Sequence, residues 1–173
     1  MHVRKATIDD IPDLIHLYRE VARVSQGIAR TETEVTEAYL NGLYQQVTQQ
    51  GLMLVGVNPI TNELIAEMHA SKYGLHIFNH ILTNVTIVVK PAYQGQGIGK
   101  ALFETFLREV DDHWPEVGRI ELESRSSNQK SIGLYQSLGF VQEGRMSHKT
   151  RNSNGVYEDS LLFARIKPGF HFS

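Results

Sequence analysis

Three glycines at alternate positions, Gly95, Gly97 and Gly99, stand between a β-branched run and a helical pattern of apolar residues. Because glycine has no Cβ, successive backbone N–H groups in such a turn can converge on one point. The helix that follows adds its unpaired N-terminal donors and the positive end of its dipole. The segment therefore predicts a binding site for an anionic phosphate group, in the form of a diphosphate cradle.

Two well-known phosphate-binding motifs do not fit this turn. A P-loop requires a glycine five positions before the Gly-Lys pair and a Ser or Thr after it, and this chain has Gln94 and Ala101 at those positions. Binding of a nucleoside triphosphate is therefore disfavoured. A dinucleotide fingerprint that starts at Gly95 requires a third glycine where Lys100 stands.

The turn does match the pattern Q-x-x-G-x-G, as Gln94, Gly97 and Gly99, directly after a predicted strand. This pattern resembles the acetyl-CoA-binding motif of the GNAT superfamily of N-acetyltransferases. A second block, residues 128–140 with the sequence NQKSIGLYQSLGF, resembles the N-x-x-A/S-x-x-L-Y-x-x-x-G-F signature of the same family. Together with a family-like opening at residues 3–10, these spaced matches identify the chain as a member of the GNAT superfamily.

The resemblance implies how the chain would hold acetyl-CoA, the acetyl donor. Backbone N–H groups of the turn would bind the pyrophosphate, and the strand before it would pair with the pantetheine arm as with an added strand. Asn128 would hydrogen-bond the same arm, although asparagine is also a good helix N-cap. Lys100 would assist a phosphate or remain solvated. The implied cofactor-binding residues are Ile87, Val88, Val89, Gln94, Gly95, Gln96, Gly97, Ile98, Gly99, Lys100, Asn128 and Tyr135.

Acetyl transfer from a thioester to an amine requires a deprotonated amine, a stabilised oxyanion and a protonated leaving thiolate. Tyr135 lies seven residues after Asn128, two helical turns on and therefore on nearly the same helix face. By resemblance, its phenol is the catalytic acid that protonates the thiolate. An unperturbed tyrosine pKa of about 10 suits this role. The alternative is a core tyrosine on an apolar helix face.

The general base is indicated less directly. Many similar proteins carry an acid early in the strand before the glycine turn, and this chain has Asn84 there. No Asp or Glu occurs between residues 73 and 94. Glu67 in the preceding strand is the predicted catalytic base, and Glu121 and Glu123 are its alternatives. Each of the three is equally compatible with a solvated or salt-bridged strand residue, and a water chain would also serve.

Three histidines, His69, His76 and His80, are close in sequence, and histidine suits proton relay near neutral pH. We expect them to shape the acceptor pocket or to lie in a loop. A metal site at the four-residue spacing of His76 and His80 requires a helix and a third ligand, and the sequence offers no evident third ligand. No metal is therefore predicted.

The composition limits the remaining classes. The chain has 173 residues, of which 21% are charged, a formal net charge of −2 and no cysteine, and one domain over residues 1–173 is expected. The lack of cysteine excludes disulfides, a Cys-ligated zinc and a covalent Cys intermediate. The dispersed basic residues favour no nucleic-acid partner. No signal peptide or membrane span is predicted, so a cytoplasmic location is expected.

The elements around these residues predict an α/β sandwich. Apolar spacing predicts one helix after Asp9-Asp10 and a second at residues 33–49, behind a capping box of Thr31 and Glu34. By resemblance, these two helices and the loop between them border the acceptor site. The later elements are strands at residues 52–57, 64–73, 81–89 and 120–124, helices at 97–113 and up to Gly139, and a terminal hairpin with its tip at 152–155. This order predicts a GNAT-like fold with a mixed, mostly antiparallel central sheet and helices on both faces.

The function that these residues favour is direct transfer of acetyl from acetyl-CoA to a primary amine. A small molecule or amino acid is the expected acceptor, because no strongly acidic groove for a basic peptide is evident; a protein N-terminus or lysine is the alternative. A non-catalytic acyl-CoA-binding sensor is the competing class. Residues 143–160 resemble the branch that acts on amino acids, small amines and protein N-termini. Tyr157 and Asp159 recur in the pattern of that branch. They could contact the acceptor or organise a homodimer, which similar proteins commonly form. The alternative is that they belong to a polar hairpin surface.

Overall fold

The computed structural model describes residues 1–24, 28–152 and 154–172. Within these residues the chain forms seven β-strands and four α-helices. The strands are β1 His2–Lys5, β2 Gly51–Val57, β3 Leu64–Ser71, β4 Ile81–Val89, β5 Arg119–Arg125, β6 Val141–Arg151 and β7 Tyr157–Ile166. The helices are α1 Ile11–Ala22, α2 Glu37–Gln50, α3 Ile98–His113 and α4 Gln129–Ser137.

These elements belong to two compact units. The first comprises residues 1–71 and 86–109, and the second comprises residues 72–85 and those from Val110 on. The strand order is β1-β2-β3-β4 in the first unit and β4-β5-β7-β6 in the second. Strands β4 and β5 pair in parallel, whereas β1–β2, β2–β3, β5–β7 and β6–β7 pair antiparallel. This arrangement confirms the predicted α/β class with a mixed, mostly antiparallel sheet.

Helix α1 supplies the core of the first unit because one of its faces is apolar. Its buried residues recur every three or four positions, and they are Ile11, Leu14, Leu17, Tyr18 and Val21. Pro12 lies in the first turn of the helix, where a backbone N–H would have no helical acceptor in any case. The helix therefore begins directly after Asp9-Asp10, as predicted.

Strand β1 is not among the predicted strands, because three of its four residues are His, Arg or Lys and the segment has little apolar alternation. It pairs with β2. Arg4 donates two hydrogen bonds of 2.7 Å to the Asp10 carboxylate, which also accepts the Thr7 N–H at 2.7 Å. The Arg4 guanidinium holds the pKa of Asp10 below its ordinary value. Asp10 precedes α1, as predicted, but its carboxylate does not cap that helix.

Helix α2 begins later than predicted. Thr31 and Glu34 do form a capping box, but it closes a short 3₁₀ turn at Glu32–Glu34 instead of the helix. The helix begins at Glu37, and its N-cap is Thr36, whose hydroxyl accepts the Tyr39 N–H at 3.1 Å. Thr31 and Thr36, five residues apart, therefore cap two successive turns, and the sequence pattern predicts only the first.

The second unit follows the predicted alternation. Ile120, Leu122 and Ser124 of β5 are buried, and Leu122 lies opposite Phe163 of β7. The terminal hairpin forms as predicted, although Ser153 of its tip lies outside the described residues. Strand β3 ends at Ser71, two residues before its predicted end. In the described ranges, no helix is long and apolar enough to cross a membrane.

Candidate functional site

The glycine turn lies in the first unit, between the end of β4 and the start of α3. Gly95 has a φ of +77° and Gly97 a φ of +80°, the left-handed region that glycine adopts without a Cβ clash. Helix α3 begins at Ile98, and the Gly97 carbonyl accepts the Ala101 N–H at 3.0 Å. The N–H groups of the first helical turn lack intrahelical acceptors. They are donors at the position where the sequence predicts the diphosphate.

The turn is also open. A Cβ added at Gly95 or Gly97 would meet no heavy atom within 4 Å, whereas one at Gly99 would lie 3.4 Å from the Val89 side chain. The backbone conformation of Gly95 and Gly97 therefore favours glycine. At Gly99 an added Cβ would make an ordinary van der Waals contact with Val89. An open turn with backbone donors suits an anionic group such as a diphosphate.

Side chains at the base of the turn fix its conformation. The Gln94 side-chain amide donates to the Val89 carbonyl at 2.9 Å, and the Tyr93 hydroxyl donates to Glu63 at 3.0 Å. Lys90 forms an ion pair with Glu63, and this interaction lowers the pKa of the Glu63 carboxyl. Gln94 of the motif thus has a structural role in linking the turn to its strand.

The remaining predicted donor-binding residues of this unit flank the turn. Ile87 and Val89 are half-buried at the end of β4, and Val88 between them is buried. The Gln96 side chain donates to the Ala92 carbonyl at 3.1 Å. The Lys100 side chain is 52% exposed and lies 3.9 Å from Glu104, one helical turn on. Its position agrees with the solvated alternative.

A buried group of polar side chains lies in the same unit. Glu67 and His69 point to one face of β3, and Tyr18 of α1 meets them there. The Tyr18 hydroxyl donates to Glu67 Oε2 at 2.6 Å. His69 Nδ1 lies 2.9 Å from Glu67 Oε1 and 3.4 Å from the Tyr18 oxygen. We refer to these three residues as the Tyr-Glu-His cluster.

Burial determines the charge state of the tyrosine in this cluster. Desolvation, followed by the nearby charge of Glu67, raises the pKa of Tyr18 well above its ordinary value. The phenol therefore remains protonated and donates to the carboxylate. The Tyr39 ring packs edge-on against the Tyr18 ring, with 6.4 Å between the centroids, and the Arg30 guanidinium lies 3.9 Å from the Tyr39 centroid.

The sequence singles out two members of the cluster and misses the third. Glu67 is the predicted base, and its side chain is 0% exposed with hydrogen bonds to both oxygens. His69 lies in a buried strand and not in a loop. Tyr18 is predicted only as a core residue of α1, because 49 residues separate it from Glu67. A tyrosine on an otherwise aliphatic helix face was the available signal, since a buried hydroxyl needs a partner.

Helix α4 of the second unit carries Asn128 and Tyr135. The Asn128 side chain accepts the Ser131 N–H at 3.2 Å, so it caps the helix. Tyr135 is 8% exposed, with its ring 6.1 Å from that of Phe163. Burial raises the pKa of its phenol, and a hydrogen bond with the Ser131 side chain opposes this change. A protonated phenol is a proton donor and not a base, as the predicted role requires.

The alternative bases are paired with cations in the second unit. Glu121 accepts from Arg119 at 2.6 Å and from the Tyr73 hydroxyl at 2.9 Å, and Glu123 accepts from Lys149 at 2.6 Å. Both are thus salt-bridged strand residues. Asn84, at the position where similar proteins carry an acid, has a left-handed φ of +54°.

His76 and His80 of the second unit are not joined in a metal centre. His76 belongs to a 3₁₀ turn that ends at Phe78, and its Nδ1 lies 3.2 Å from the Asn79 amide nitrogen. The His80 ring lies 6.0 Å from that of Phe172. Across residues 1–24, 28–152 and 154–172, no group of three or more His, Cys, Asp or Glu side chains could hold a metal ion.

Asp159 organises the terminal hairpin. Its carboxylate accepts the His148 N–H at 2.7 Å and the Arg145 side chain at 2.5 Å, and these bonds lower its pKa. His148 has a φ of +53° within a register shift of β6. Tyr157 is 60% exposed, with the Arg151 guanidinium 5.8 Å from its ring centroid. The contacts of these residues support a polar hairpin with a bulge held by Asp159.

Comparison with known proteins agrees with the motifs. A family model described as the Acetyltransferase (GNAT) family matches residues 34–140. Ribosomal protein bS18-alanine N-acetyltransferase from Escherichia coli K12 is 30% identical over 155 residues, which cover 90% of each chain.

Solved structures share the fold. The ribosomal-protein-alanine N-acetyltransferase from Brucella melitensis superposes with a TM-score of 0.84 at 21% identity, over 96% of this chain and 99% of that one. A GNAT superfamily phosphinothricin acetyltransferase from Sinorhizobium meliloti, in complex with AcCoA, gives a TM-score of 0.82 at 22% identity, over 96% and 88% of the two chains.

The Tyr-Glu-His cluster predicts a stability change. Tyr18→Phe leaves Glu67 Oε2 buried without its donor, so we expect the free energy of unfolding to fall by about 2 kcal/mol. Urea denaturation followed by circular dichroism measures this change. The matched control is Tyr44→Phe, on a partly buried tyrosine packed against the same core, and we expect its effect to stay within about 0.5 kcal/mol. Equal effects of the two substitutions would contradict a structural role for the Tyr18 hydroxyl.

Proposed function

Because the chain belongs to the GNAT family of acetyltransferases, we propose that it transfers acetyl from acetyl-CoA to the α-amine of a protein or peptide N-terminus. The observation that carries the acceptor class is the 30% identity, over 90% of both chains, to a protein named as an alanine N-acetyltransferase of ribosomal protein bS18. The sequence pattern alone favours a small amine or amino acid. The similarity to the bS18-alanine N-acetyltransferase makes a protein N-terminus the preferred acceptor. A small amine remains the alternative acceptor that the experiment tests.

The first unit supplies the proposed donor site. The left-handed glycines and the N–H groups that open α3 bind the pyrophosphate, and a Cβ added at Gly95 or Gly97 would meet no heavy atom within 4 Å. The backbone of Ile87, Val88 and Val89 pairs with the pantetheine arm. Acetyl-CoA provides the activated acetyl group, as a thioester.

The second unit supplies the proposed acid. Tyr135 is buried, its pKa is raised, and it therefore holds its proton at neutral pH. It gives this proton to the departing sulfur. Asn128 caps the same helix and, in this proposal, also hydrogen-bonds the pantetheine arm, since its carboxamide has donor hydrogens that capping does not use.

Glu67 is the proposed source of basicity, but its setting restricts how it acts. Its side chain has no exposed surface, and both oxygens already have hydrogen-bond partners. The carboxylate therefore acts on the acceptor through a neighbouring group and not by direct contact. Glu121 and Glu123 are each engaged by a basic side chain, which makes Glu67 the stronger candidate.

The acceptor class is tested by mixing the protein and acetyl-CoA with single acceptors and measuring thiol release. We expect release with peptides that begin with alanine and none with the same peptides blocked at the α-amine. A lysine-containing peptide with a blocked N-terminus, free alanine and a polyamine are the comparison arms. Release with free alanine or the polyamine alone would contradict the proposed acceptor, and donor binding without any release would contradict transfer itself.

The glycine turn predicts a change in donor affinity. Gly97→Ala places a Cβ on a residue with φ near +80°, at a cost of about 1–2 kcal/mol in the turn conformation. We expect the dissociation constant for acetyl-CoA, measured by calorimetry, to rise roughly tenfold. Gly42→Ala, on an exposed helical glycine with no heavy atom within 4 Å of the added Cβ, is the control and should bind normally. An unchanged constant for Gly97→Ala would argue against this turn as the donor site.

The proposed acid predicts a change in turnover. Tyr135→Phe preserves the packing against Phe140 and Phe163 and removes only the hydroxyl. We expect kcat on an alanyl peptide to fall by about a hundredfold or more, with little change in the dissociation constant for acetyl-CoA. Tyr157→Phe, on the exposed hairpin tyrosine, is the comparison variant. Turnover at the unsubstituted rate would remove Tyr135 from the mechanism.

A further inference from the structure

A carboxylate and an imidazole are buried together in the apolar core of the first unit. On the neighbouring strand β2, Val55 lies opposite Glu67 and Met53 lies opposite His69. Tyr18 of α1 contacts both Glu67 and His69. Placing such groups in a core costs free energy, and apolar side chains of similar volume commonly serve stability as well or better. Buried titratable groups in contact are, for the same reason, frequent at sites of proton transfer.

The hydrogen bonds of the cluster define where a proton can be added. The Tyr18 hydroxyl donates to Glu67 Oε2, so Oε1 is the carboxylate oxygen that faces His69 Nδ1. Where His69 Nδ1 is the donor, Glu67 Oε1 accepts its N–H. A neutral imidazole protonated at Nδ1 has a lone pair at Nε2. The cluster therefore presents Nε2 as its proton-accepting atom.

The two side chains differ slightly in exposure. His69 is 4% exposed and Glu67 is 0% exposed, so of this pair only the imidazole has any exposed surface. Strand β3 is the direct neighbour of β4, and the Lys90 N–H just after β4 donates to the Ile65 carbonyl of β3 at 2.8 Å. Adjacent strands lie about 4.8 Å apart. His69 thus belongs to the strand beside the one assigned to the pantetheine arm.

We propose that His69 Nε2 accepts a proton from the acceptor amine, and that Glu67 and Tyr18 are positioning residues for His69. This inference rests on the proposed acetyl transfer. One proton of the ammonium group passes to Nε2 and then to water. The nitrogen lone pair forms the new C–N bond to the thioester carbonyl carbon, and the C–S bond breaks. The nitrogen loses a second proton, and the thiol sulfur gains one.

His69→Asn tests the proton-accepting atom. The asparagine amide can still donate to Glu67 from about the position of Nδ1, but it has no counterpart of Nε2. We expect kcat/KM for an alanyl peptide to fall by about a hundredfold to a thousandfold, with unchanged acetyl-CoA binding. An aminooxyacetyl peptide, whose terminal amine is unprotonated at neutral pH, needs no base to release its lone pair. For that acceptor the loss should be less than about tenfold. Equal losses for both acceptors would overturn the proposal.

A matched pair of truncations separates chemistry from packing. His69→Ala and Met53→Ala shorten buried residues that lie opposite each other on β3 and β2. Added imidazole should restore turnover of His69→Ala by at least about tenfold and leave Met53→Ala unchanged. Rescue of neither or of both variants would assign His69 a packing role and overturn the proposal. If the unsubstituted protein binds acetyl-CoA and acetylates no amine, the proposed function fails first and this inference fails with it.

Nitrogen-15 NMR of the unsubstituted, histidine-labelled protein provides a test that does not depend on a variant's folding. The chain has eight histidines, and the signal lost in His69→Asn assigns the one of interest. We expect His69 to carry its proton on Nδ1 at neutral pH. Glu67→Met removes the acceptor and should shift His69 towards the tautomer protonated at Nε2, while kcat falls and acetyl-CoA binding is kept. A proton on Nε2 in the unsubstituted protein would contradict the proposal.

Discussion

The hydrogen bond from Tyr18 of α1 to Glu67 of β3 constrains the core of the first unit, because both residues are buried. A carboxylate with no exposed surface is tolerated only where its oxygens have donors. Helix α1 must therefore lie on β3 in the register that brings the Tyr18 hydroxyl to Oε2. Apolar burial is non-directional, so the buried polar contact adds a specific requirement on where α1 lies.

In the glycine turn, unlike in the core, the polar groups are left open to solvent. Its donors are backbone N–H groups left unpaired at the start of α3, and the turn remains open because Gly95 and Gly97 have no side chains. Side-chain hydrogen bonds instead hold the base of the turn, from Gln94 to Val89 and from Tyr93 to Glu63. The turn is hydrogen-bonded where it joins the fold and open where the proposed ligand would bind, a combination that suits preorganised recognition.

Much of the fold could be predicted from the sequence because its elements have strong local signals. The apolar spacing of α1 indicates where that helix begins, and the β-branched run of β4 indicates both ends of that strand. The glycine turn is likewise visible, since left-handed φ values and glycine go together. Strand β1 could not be predicted, because its short polar segment forms a strand only through pairing with β2. The contacts of Tyr18 could not be predicted either, because its partners are distant in sequence. The start of α2 was missed because local patterns cannot show whether Thr31 or Thr36 caps the longer helix.

Two buried tyrosines show why burial alone does not define a catalytic acid. Desolvation is the largest influence raising the pKa of both Tyr18 and Tyr135. The Tyr18 proton is committed to a carboxylate 2.6 Å away, and giving it up would place two negative charges together in an apolar core. The Ser131 hydrogen bond, in contrast, favours the ionised form of Tyr135. The partner of each phenol, as well as its depth, therefore bears on which one can act as an acid.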